Sequence, residues 1–179
     1  STQLMGTERS VMSTQVQVQK ASAGEEQVTQ FCTFWVGERW YGVDILEVQE
    51  VNPVKEVTTI YHAPEEVSGF VNIRGKIYLI LDLGLMLGLQ AGDQSGDVLL
   101  VLFKEEAGQS FGVRVDRIGE TVQVKQSSIE DRRKQEKEIP DGREKRKGGN
   151  QFTRGICTME NDLLVILDGK RFIPFIERK

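Results

Sequence analysis

The sequence predicts an all-β protein built from two small barrels, and the strongest support is an internal repeat. The segment YGVDILEVQEV, which begins at Tyr41, aligns without gaps with FGVRVDRIGET, which begins at Phe111, at an offset of 70 residues. The segment GFVNIRGKIYLILD, which begins at Gly69, aligns with GICTMENDLLVILD, which begins at Gly155, at an offset of 86 residues. Because both modules recur in the same order, we interpret the chain as one structural unit used twice.

The spacing of turns is the second observation. Short apolar runs alternate with turn residues, and few segments show helical periodicity, which is typical of a β-barrel or a β-sandwich. The repeat divides the chain into halves of about 30–90 and 97–175. Halves of this size bury too little surface to be stable alone. We therefore expect them to pack together as one domain over residues 30–179, in a way that also permits an exchange of terminal strands.

The first half is predicted to contain two strands, at 31–36 and 40–43, around a turn that contains Gly37. Asp44 is a candidate cap for a short helical segment. Asn52-Pro53 would end that segment, because proline disfavours helix in the residue before it. Further strands are predicted at 54–60, 70–73 and 77–81, and a short helix at 83–87.

The second half is predicted to contain three strands and a hairpin, at 98–103, 111–115, 120–124 and 152–167. The segment between Glu130 and Asn150 interrupts the repeat. From Glu130 to Lys147 it has eight basic and six acidic side chains, a near balance that predicts a flexible, solvated loop over 131–150. Residues 1–29 are polar and are predicted to form a disordered N-terminal tail.

Composition limits the classes of function. The net charge of −4 gives no electrostatic footprint for nucleic acid or for an anionic membrane. Neither an apolar run long enough to span a bilayer nor a signal-peptide core is present, so we expect a soluble, cytoplasmic protein without direct membrane insertion. Cys32 and Cys157 lie in separate apolar strand patterns and are predicted to be buried free thiols.

Catalytic and cofactor sites are not predicted. His62 is the one histidine, and its loop position beside Ala63-Pro64 does not suggest a nucleophilic triad or a metal ligand. Phosphate-binding glycine motifs are absent from the sequence. Asp82 and Asp168 follow core strands, where aspartate usually caps the next turn. We therefore expect a non-catalytic protein that needs no cofactor and no metal.

One polar constellation differs between the two copies of the repeat. Glu50 ends the first module and has its counterpart in Glu120, whereas Arg74-Gly75 has Glu160-Asn161 as its counterpart. An exposed hairpin with a solvated arginine would explain Arg74 without any function. The alternative is that Glu50 and Arg74 pair, since a guanidinium fixed in an apolar rim forms a good recognition surface for another protein.

The chain resembles the CheW family of bacterial chemotaxis coupling proteins. The resemblance is carried by FCTFWVGERWYGVDILEVQEV, HAPEEVSGFVNIRGKIYLILDL and DVLLVLFKEEAGQSFGVRVDRIGETVQV, with a weaker match over 153–167. It implies two five-stranded SH3-like barrels. It also implies a non-catalytic adaptor that couples the cytoplasmic helical hairpin of chemoreceptors to the regulatory domain of the histidine kinase CheA.

The resemblance also implies a receptor-binding groove, carried over position by position. Its expected residues are Val48, Glu50, Gly69, Asn72, Ile73, Arg74, Gly75, Val98, Leu99, Ile118 and Thr121. The family usually ends in a helix, which Gly169 and Pro174 are expected to shorten here. The charged loop is also longer than the family pattern requires.

Several other functions remain as alternatives. The chain could be the homologous regulatory domain of a histidine kinase, although it shows no ATP-binding segment, or an adaptor for a chemosensory pathway that does not control swimming. We do not expect a phosphoacceptor receiver domain. From another class, a nucleic-acid-binding β-barrel would need surface aromatics among Lys and Arg, whereas the aromatics here mostly fall within strand patterns.

Overall fold

The structure is a computed structural model that describes residues 26–89, 96–106, 108–131 and 151–178. The predicted tail up to residue 25 and the predicted charged loop from residue 132 onward lie outside the described residues. Among the described residues, no helix is both long enough and apolar enough to cross a bilayer.

The described residues form short strands connected by turns, in agreement with the predicted all-β class. The strands are β1 (Val28–Val36), β2 (Arg39–Asp44), β3 (Val48–Val54), β4 (Val67–Ile73), β5 (Lys76–Asp82), β6 (Val98–Phe103), β7 (Phe111–Val115), β8 (Arg117–Ile118), β9 (Val122–Lys125), β10 (Thr153–Met159) and β11 (Asp162–Leu167). The helices are α1 (Leu83–Met86) and α2 (Phe172–Glu177), with 3-10 turns at Ile45–Glu47, Gln126–Ser128 and Gly169–Arg171.

The strands form two sheets, each assembled from both halves of the repeat. The first sheet has the order β3-β6-β7-β5-β4. The second has the order β10-β11-β2-β1-β8, and β9 also pairs with β1. The exchange is therefore more extensive than a swap of terminal strands. The first sheet is contiguous in sequence from Val48 to Val115, and the predicted division at about residue 90 does not separate the sheets.

The register shows that the exchange is reciprocal. In the first sheet β5 lies parallel to β7, and Leu79 is opposite Phe111. In the second sheet β11 lies parallel to β2, and Val165 is opposite Tyr41. Leu79 and Val165 are separated by the repeat offset of 86, and Tyr41 and Phe111 by the offset of 70. The two sheets are thus built from equivalent strands in equivalent register.

Equivalent backbone bridges link the ends of each sheet. Thr58, which follows β3, exchanges two hydrogen bonds of 2.9 Å with Phe70 of β4. Glu130, which follows β9, exchanges bonds of 2.8 and 2.9 Å with Ile156 of β10. In the first sheet the bridge leaves no space for a side chain at Gly69, where a Cβ atom would lie 1.9 Å from the Thr58 carbonyl oxygen.

The second sheet has six strands rather than five, because the equivalent of β3 is divided into β8 and β9. The interruption lies at Gly119, whose amide donates a 2.9 Å hydrogen bond to the Thr33 carbonyl. The Thr33 hydroxyl in turn donates to the carbonyl of Glu120. A Cβ atom at Gly119 would lie 2.4 Å from the Thr33 hydroxyl oxygen. The backbone at Gly119 therefore lies so close to β1 that it leaves no space for a side chain.

Three local predictions require correction. Residues 48–54 form the strand β3 instead of extending a helical segment, and Pro53 is tolerated there because β3 lies at a sheet edge. Strand β1 begins at Val28, ahead of the predicted start, because it pairs with β9. The strand predicted at 54–60 does not form, because β3 ends at Val54 and only Thr58 beyond it makes an isolated bridge, to Phe70. The C-terminal helix α2 has six residues and is short, as expected, with Pro174 in its first turn, where the missing amide costs no hydrogen bond.

The main hydrophobic core lies between the two sheets. Phe34 and Tyr41 from the second sheet join Leu81 and Phe111 from the first sheet in one buried cluster. The helix α2 adds Phe172, whose ring makes edge-on contacts with Phe103, Phe111 and Phe152. Smaller clusters fill the interior of each sheet. This cluster is shared by residues from both halves of the repeat.

Candidate functional site

A cluster of polar side chains lies where β3 approaches the β4–β5 hairpin. Within β3, Glu50, Asn52 and Val54 are partly buried, while the intervening residues are exposed. The strand pairing shifts register between Val48 and Glu50, which indicates a bulge at the start of the strand. Since alternate residues of a strand share a face, Glu50 and Asn52 point in the same direction.

Glu50 is held by two partners, one at each carboxylate oxygen. The Arg74 guanidinium donates through Nη2 to Glu50 Oε2 in an ion pair. Asn52 Nδ2 donates to Glu50 Oε1 over 3.2 Å. The structure therefore brings Glu50 and Arg74 into contact, as the second interpretation of the sequence expected. We call Glu50, Asn52 and Arg74 the polar cluster.

The backbone of the β4–β5 turn fixes the position of Arg74. Arg74 and Gly75 both have positive φ angles, of 53° and 83°, which is the conformation of a two-residue type I′ hairpin turn. Asn72 Oδ1 accepts a 2.9 Å hydrogen bond from the Gly75 amide and closes the turn from the side. The equivalent turn of β10–β11 places Glu160 and Asn161 at φ angles of 47° and 73°.

The electrostatics of the polar cluster favour an ionised Glu50. Hydrogen bonds from Asn52 and from Arg74 stabilise the carboxylate, and they lower the pKa of Glu50 below its ordinary value of 4.5. The Arg74 side chain nevertheless remains 70% exposed, against 25% for Glu50. A pair this exposed contributes little to folding stability. It can instead present an oriented guanidinium to a partner.

The other predicted groove residues fall into four groups. Ile73 and Val98 belong to one buried cluster inside the first sheet, and Gly69 is buried against Thr58. Val48 and Leu99 are partly buried and pack against the main core. Ile118 and Thr121 lie with the second sheet, where Ile118 pairs with Phe34 of β1. The exposed part of the predicted groove near Arg74 consists of Asn72 and Gly75.

Two side chains near Arg74 are absent from the sequence prediction. Asn52 contacts Glu50 directly, and its position two residues further along β3 is the signal that could have revealed it. Ile77 lies opposite Asn72 in the hairpin and is 58% exposed. Its sequence context, a strongly apolar strand, predicted burial. An exposed isoleucine beside an oriented arginine gives the surface an apolar component.

Other candidate chemistry does not assemble into a site. His62 is exposed, with a φ angle of 64°. Asp82 and Asp168 cap the turns that follow β5 and β11, accepting hydrogen bonds of 3.1 Å from the amides of Leu85 and Lys170. Within the described ranges no group of three His, Cys, Asp or Glu side chains could hold a metal ion.

Cys32 and Cys157 are both free and buried, as predicted. Burial raises the pKa of each thiol above its ordinary value of 9.0. A thiol with a raised pKa holds its proton more tightly, and the thiolate is the reactive form. The described cysteines are therefore packing residues of the interior.

Comparison with known proteins identifies the family. A family model described as the CheW-like domain matches residues 30–177. The chain is 29% identical over 153 residues to the chemotaxis protein CheW of Helicobacter pylori, an alignment that covers 83% of this chain and 86% of that protein. It is 34% identical over 112 residues to the chemotaxis protein CheW of Treponema pallidum, covering 60% of this chain and 65% of that protein.

A solved structure supports the same assignment. The crystal structure of the scaffolding protein TtCheW from Thermoanaerobacter tengcongensis matches with a TM-score of 0.63 at 28% identity. The match covers 78% of this chain and 88% of that chain. Since the family model spans most of the chain and the sheets agree with a solved relative, this protein belongs to the CheW family.

Proposed function

We propose that the chain couples chemoreceptors to the histidine kinase CheA, and that the polar cluster is part of its receptor-binding surface. Membership of the CheW family supports the role of a chemotaxis adaptor without catalytic activity. The relatives are named chemotaxis proteins, and the structural relative is named a scaffolding protein. We expect the chain to work in the cytoplasm, at the receptor arrays.

The observation that supports the receptor-binding surface is the geometry of Arg74. Its backbone is fixed by a tight turn, and its guanidinium is oriented by Glu50 while most of the side chain remains accessible. A charged group that is already ordered loses less conformational entropy when a partner binds. The exposed Ile77 close by adds an apolar contact. Such a surface suits the amphipathic face of a receptor helical hairpin.

We propose that CheA contacts other faces of the two sheets through its homologous regulatory domain. An adaptor must hold both partners at once, so the two surfaces cannot coincide. Exposed apolar side chains away from the polar cluster, such as Leu163 of β11 at 48% exposure, are available for a second partner. A change at Arg74 should therefore affect receptor binding more than kinase binding.

The test is a charge reversal at Arg74. We expect Arg74→Glu to weaken binding to a receptor cytoplasmic fragment by at least about tenfold, since truncating a hydrogen-bonded charge at an interface costs about 2–5 kcal/mol. Thermal stability should change little, because the pair is exposed. The matched control is Lys125→Glu, which breaks the surface ion pair of Lys125 with Glu26 on the other sheet. Receptor binding by Arg74→Glu at the level of the control would disprove the proposed surface.

A double-mutant cycle tests whether the contact between the two residues matters. Glu50→Arg combined with Arg74→Glu should recover part of the receptor binding that each change loses alone. The expected interaction free energy between the two sites is about 0.5–3 kcal/mol, the range for residues in contact. An interaction energy of zero would mean that Glu50 and Arg74 act independently.

A further inference from the structure

Glu47 occupies the junction between the two sheets and the C-terminal segment. It is the last residue of the 3-10 turn that carries the chain from β2 to β3, and its carbonyl accepts a 2.9 Å hydrogen bond from the Lys104 amide. Its side chain points to Gly169, and a Cβ atom added there would lie 3.5 Å from Glu47 Oε2. The Gly169 backbone thus lies beside the Glu47 carboxyl group.

The elements packed around Glu47 bring more negative than positive charge. Asp44 from the same turn and Asp168 from the end of β11 both act on its carboxyl group by repulsion, while Lys170 acts by attraction. The β6–β7 connection adds Lys104, Glu105 and Glu106 to the cleft that Glu47 lines. Arg171 is engaged with Asp168 at 3.4 Å and with the Gln151 carbonyl at 2.8 Å.

The junction is also apolar on its inner side. The cleft has a volume of about 120 Å³, and the buried rings of Phe103 and Phe111 contribute to its lining. Gly169 packs directly on Phe103, where an added Cβ atom would lie 2.6 Å from the ring. Glu47 is therefore half-buried in a cleft that has aromatic rings on its inner side and other carboxylates around it.

This setting opposes ionisation. Burial, followed by repulsion from Asp168 and then from Asp44, raises the pKa of Glu47 from 4.5 to about 7. Lys170 and the Gly169 amide oppose the shift without cancelling it. A neutral carboxylic acid does not repel Asp44 and Asp168, whereas an ionised one does.

We propose that Glu47 is a protonation-dependent clasp that fastens the C-terminal segment, from Gly169 through α2, to the turn between the two sheets. With Glu47 neutral, the segment is held by the close packing of Gly169 on Phe103 and by the packing of Phe172 and Ile173 in the core. When Glu47 ionises, three carboxylates face one another and the segment loosens. The proposal is independent of the receptor-binding surface and concerns how firmly the C-terminal segment is attached.

The test follows amide hydrogen exchange in the full chain, with rates corrected for the intrinsic effect of pH. We expect residues 169–178 to lose protection by at least about fivefold between about pH 6 and pH 8, the interval in which a carboxyl group with the pKa of Glu47 ionises. Glu47→Gln cannot ionise and should keep the pH 6 level of protection at pH 8. The control Glu105→Gln changes an exposed acid of the same cleft and should retain the pH dependence of the wild type.

Two results would overturn the clasp. One is equal protection of the C-terminal segment in the wild-type chain at both pH values. The other is the same pH dependence in Glu47→Gln as in the wild type. If Glu47→Gln does not fold, the carboxyl carbon of Glu47 can be titrated by NMR in the wild-type protein. A midpoint near neutral pH would support the clasp, and one below about pH 5, the ordinary range for glutamate, would refute it.

Discussion

Glu47 and Glu50 lie three residues apart and respond to pH in opposite directions. The pKa of Glu50 is lowered, so its contribution to stability is present above the ordinary value and is lost as the pH falls through the lowered one. The pKa of Glu47 is raised to about 7. The carboxyl group of Glu47 loses its proton near pH 4.5 in the unfolded chain and near pH 7 in the folded protein. The free energy of unfolding therefore falls as the pH rises between these two values.

A thermal-denaturation series can separate these two effects. Between about pH 5 and pH 8, Glu47→Gln should remove much of the fall in melting temperature, whereas Glu50→Gln should leave that fall in place. At pH values below the ordinary pKa of glutamate, the melting temperature of Glu50→Gln should fall less with decreasing pH than that of the wild type. Identical pH profiles for the two variants would contradict the assignment of opposite shifts.

Gly69 and Gly75 are a matched pair for testing backbone closure. Both have positive φ angles, of 146° and 83°, but only Gly69 faces a backbone atom within contact distance. We expect Gly69→Ala to cost more than about 3 kcal/mol of unfolding free energy, because a Cβ would overlap the Thr58 carbonyl. A Cβ atom at Gly75 would have no other atom within 4 Å. Gly75→Ala should therefore cost only about 1 kcal/mol of unfolding free energy, because alanine disfavours the left-handed conformation. Equal costs, measured by chemical denaturation, would contradict the closure role of Gly69.

At the scale of single residues, the sequence predicted contacts within the repeat and missed those outside it. Glu50 and Arg74 could be found because the second copy of the repeat keeps the glutamate and changes the arginine. Asn52 was missed because its segment had been interpreted as the end of a helical turn, and a helix does not place residues two apart on one face. Glu47 contacts a segment more than a hundred residues away, and no local pattern records that contact.

The two hairpin turns carry different residues in the same strained conformation. Type I′ turns favour Asn-Gly, yet the first has Arg74-Gly75 and the second has Glu160-Asn161. A left-handed arginine or glutamate costs about 1–2 kcal/mol relative to glycine, so Arg74 adopts this conformation against its local preference. Strain of this kind is often found where a side chain has a binding role.

Asparagine substitutions in the two turns distinguish strain from function. Glu160→Asn should raise the unfolding free energy by about 0.5–1 kcal/mol, because asparagine tolerates the left-handed conformation, and should leave receptor binding unchanged. Arg74→Asn should bring a similar backbone gain but lose receptor binding together with the ion pair. Chemical denaturation and receptor binding, measured on both variants, are the required data. Retained receptor binding by Arg74→Asn would contradict the role of Arg74.

Elements with strong local signals were predicted well, whereas β3 was not. The hairpins β4–β5 and β10–β11 combine apolar strands with recognisable turns. Strand β3 contains a proline and four partly buried residues, and it belongs to the sheet only through its pairing with β6. A proline in an edge strand is compatible with that pairing but cannot be distinguished from a strand boundary by sequence alone. The pairing with β6, and not the local sequence, determines that these residues form a strand.

At the scale of the whole molecule, the duplicated halves depend on each other. Each half contributes a hairpin to one sheet and its remaining strands to the other, so the residue order within a half does not describe a folding unit. The repeat predicted two equivalent bodies, and equivalent register confirms that expectation. The repeat could not predict which strands join which sheet. Two equivalent sheets would result whether each half formed its own sheet or the halves exchanged strands.

The reciprocal exchange predicts how the chain behaves when it is divided. A fragment of residues 1–92 contains β1 to β5 and lacks β6, the partner of β3. A fragment of residues 93–179 lacks β1, the partner of β9, and β2, one of the two partners of β11. Neither fragment can complete a sheet or the shared core. We expect both to be unfolded alone, as judged by amide exchange and near-ultraviolet circular dichroism, and to recover native spectra when mixed in equal amounts.

A different division of the chain provides the control. A fragment of residues 46–116 contains all five strands of the first sheet in one piece and should keep more exchange protection than either repeat half. It still lacks the core residues of the second sheet and of α2, so protection should remain below that of the full chain. Because every strand pair of the first sheet survives, its protection should concentrate in the inner part of that sheet, β4 to β7. Stable folding of fragment 1–92 without its complement would mean that the halves do not need the exchange, and would contradict this account of the fold.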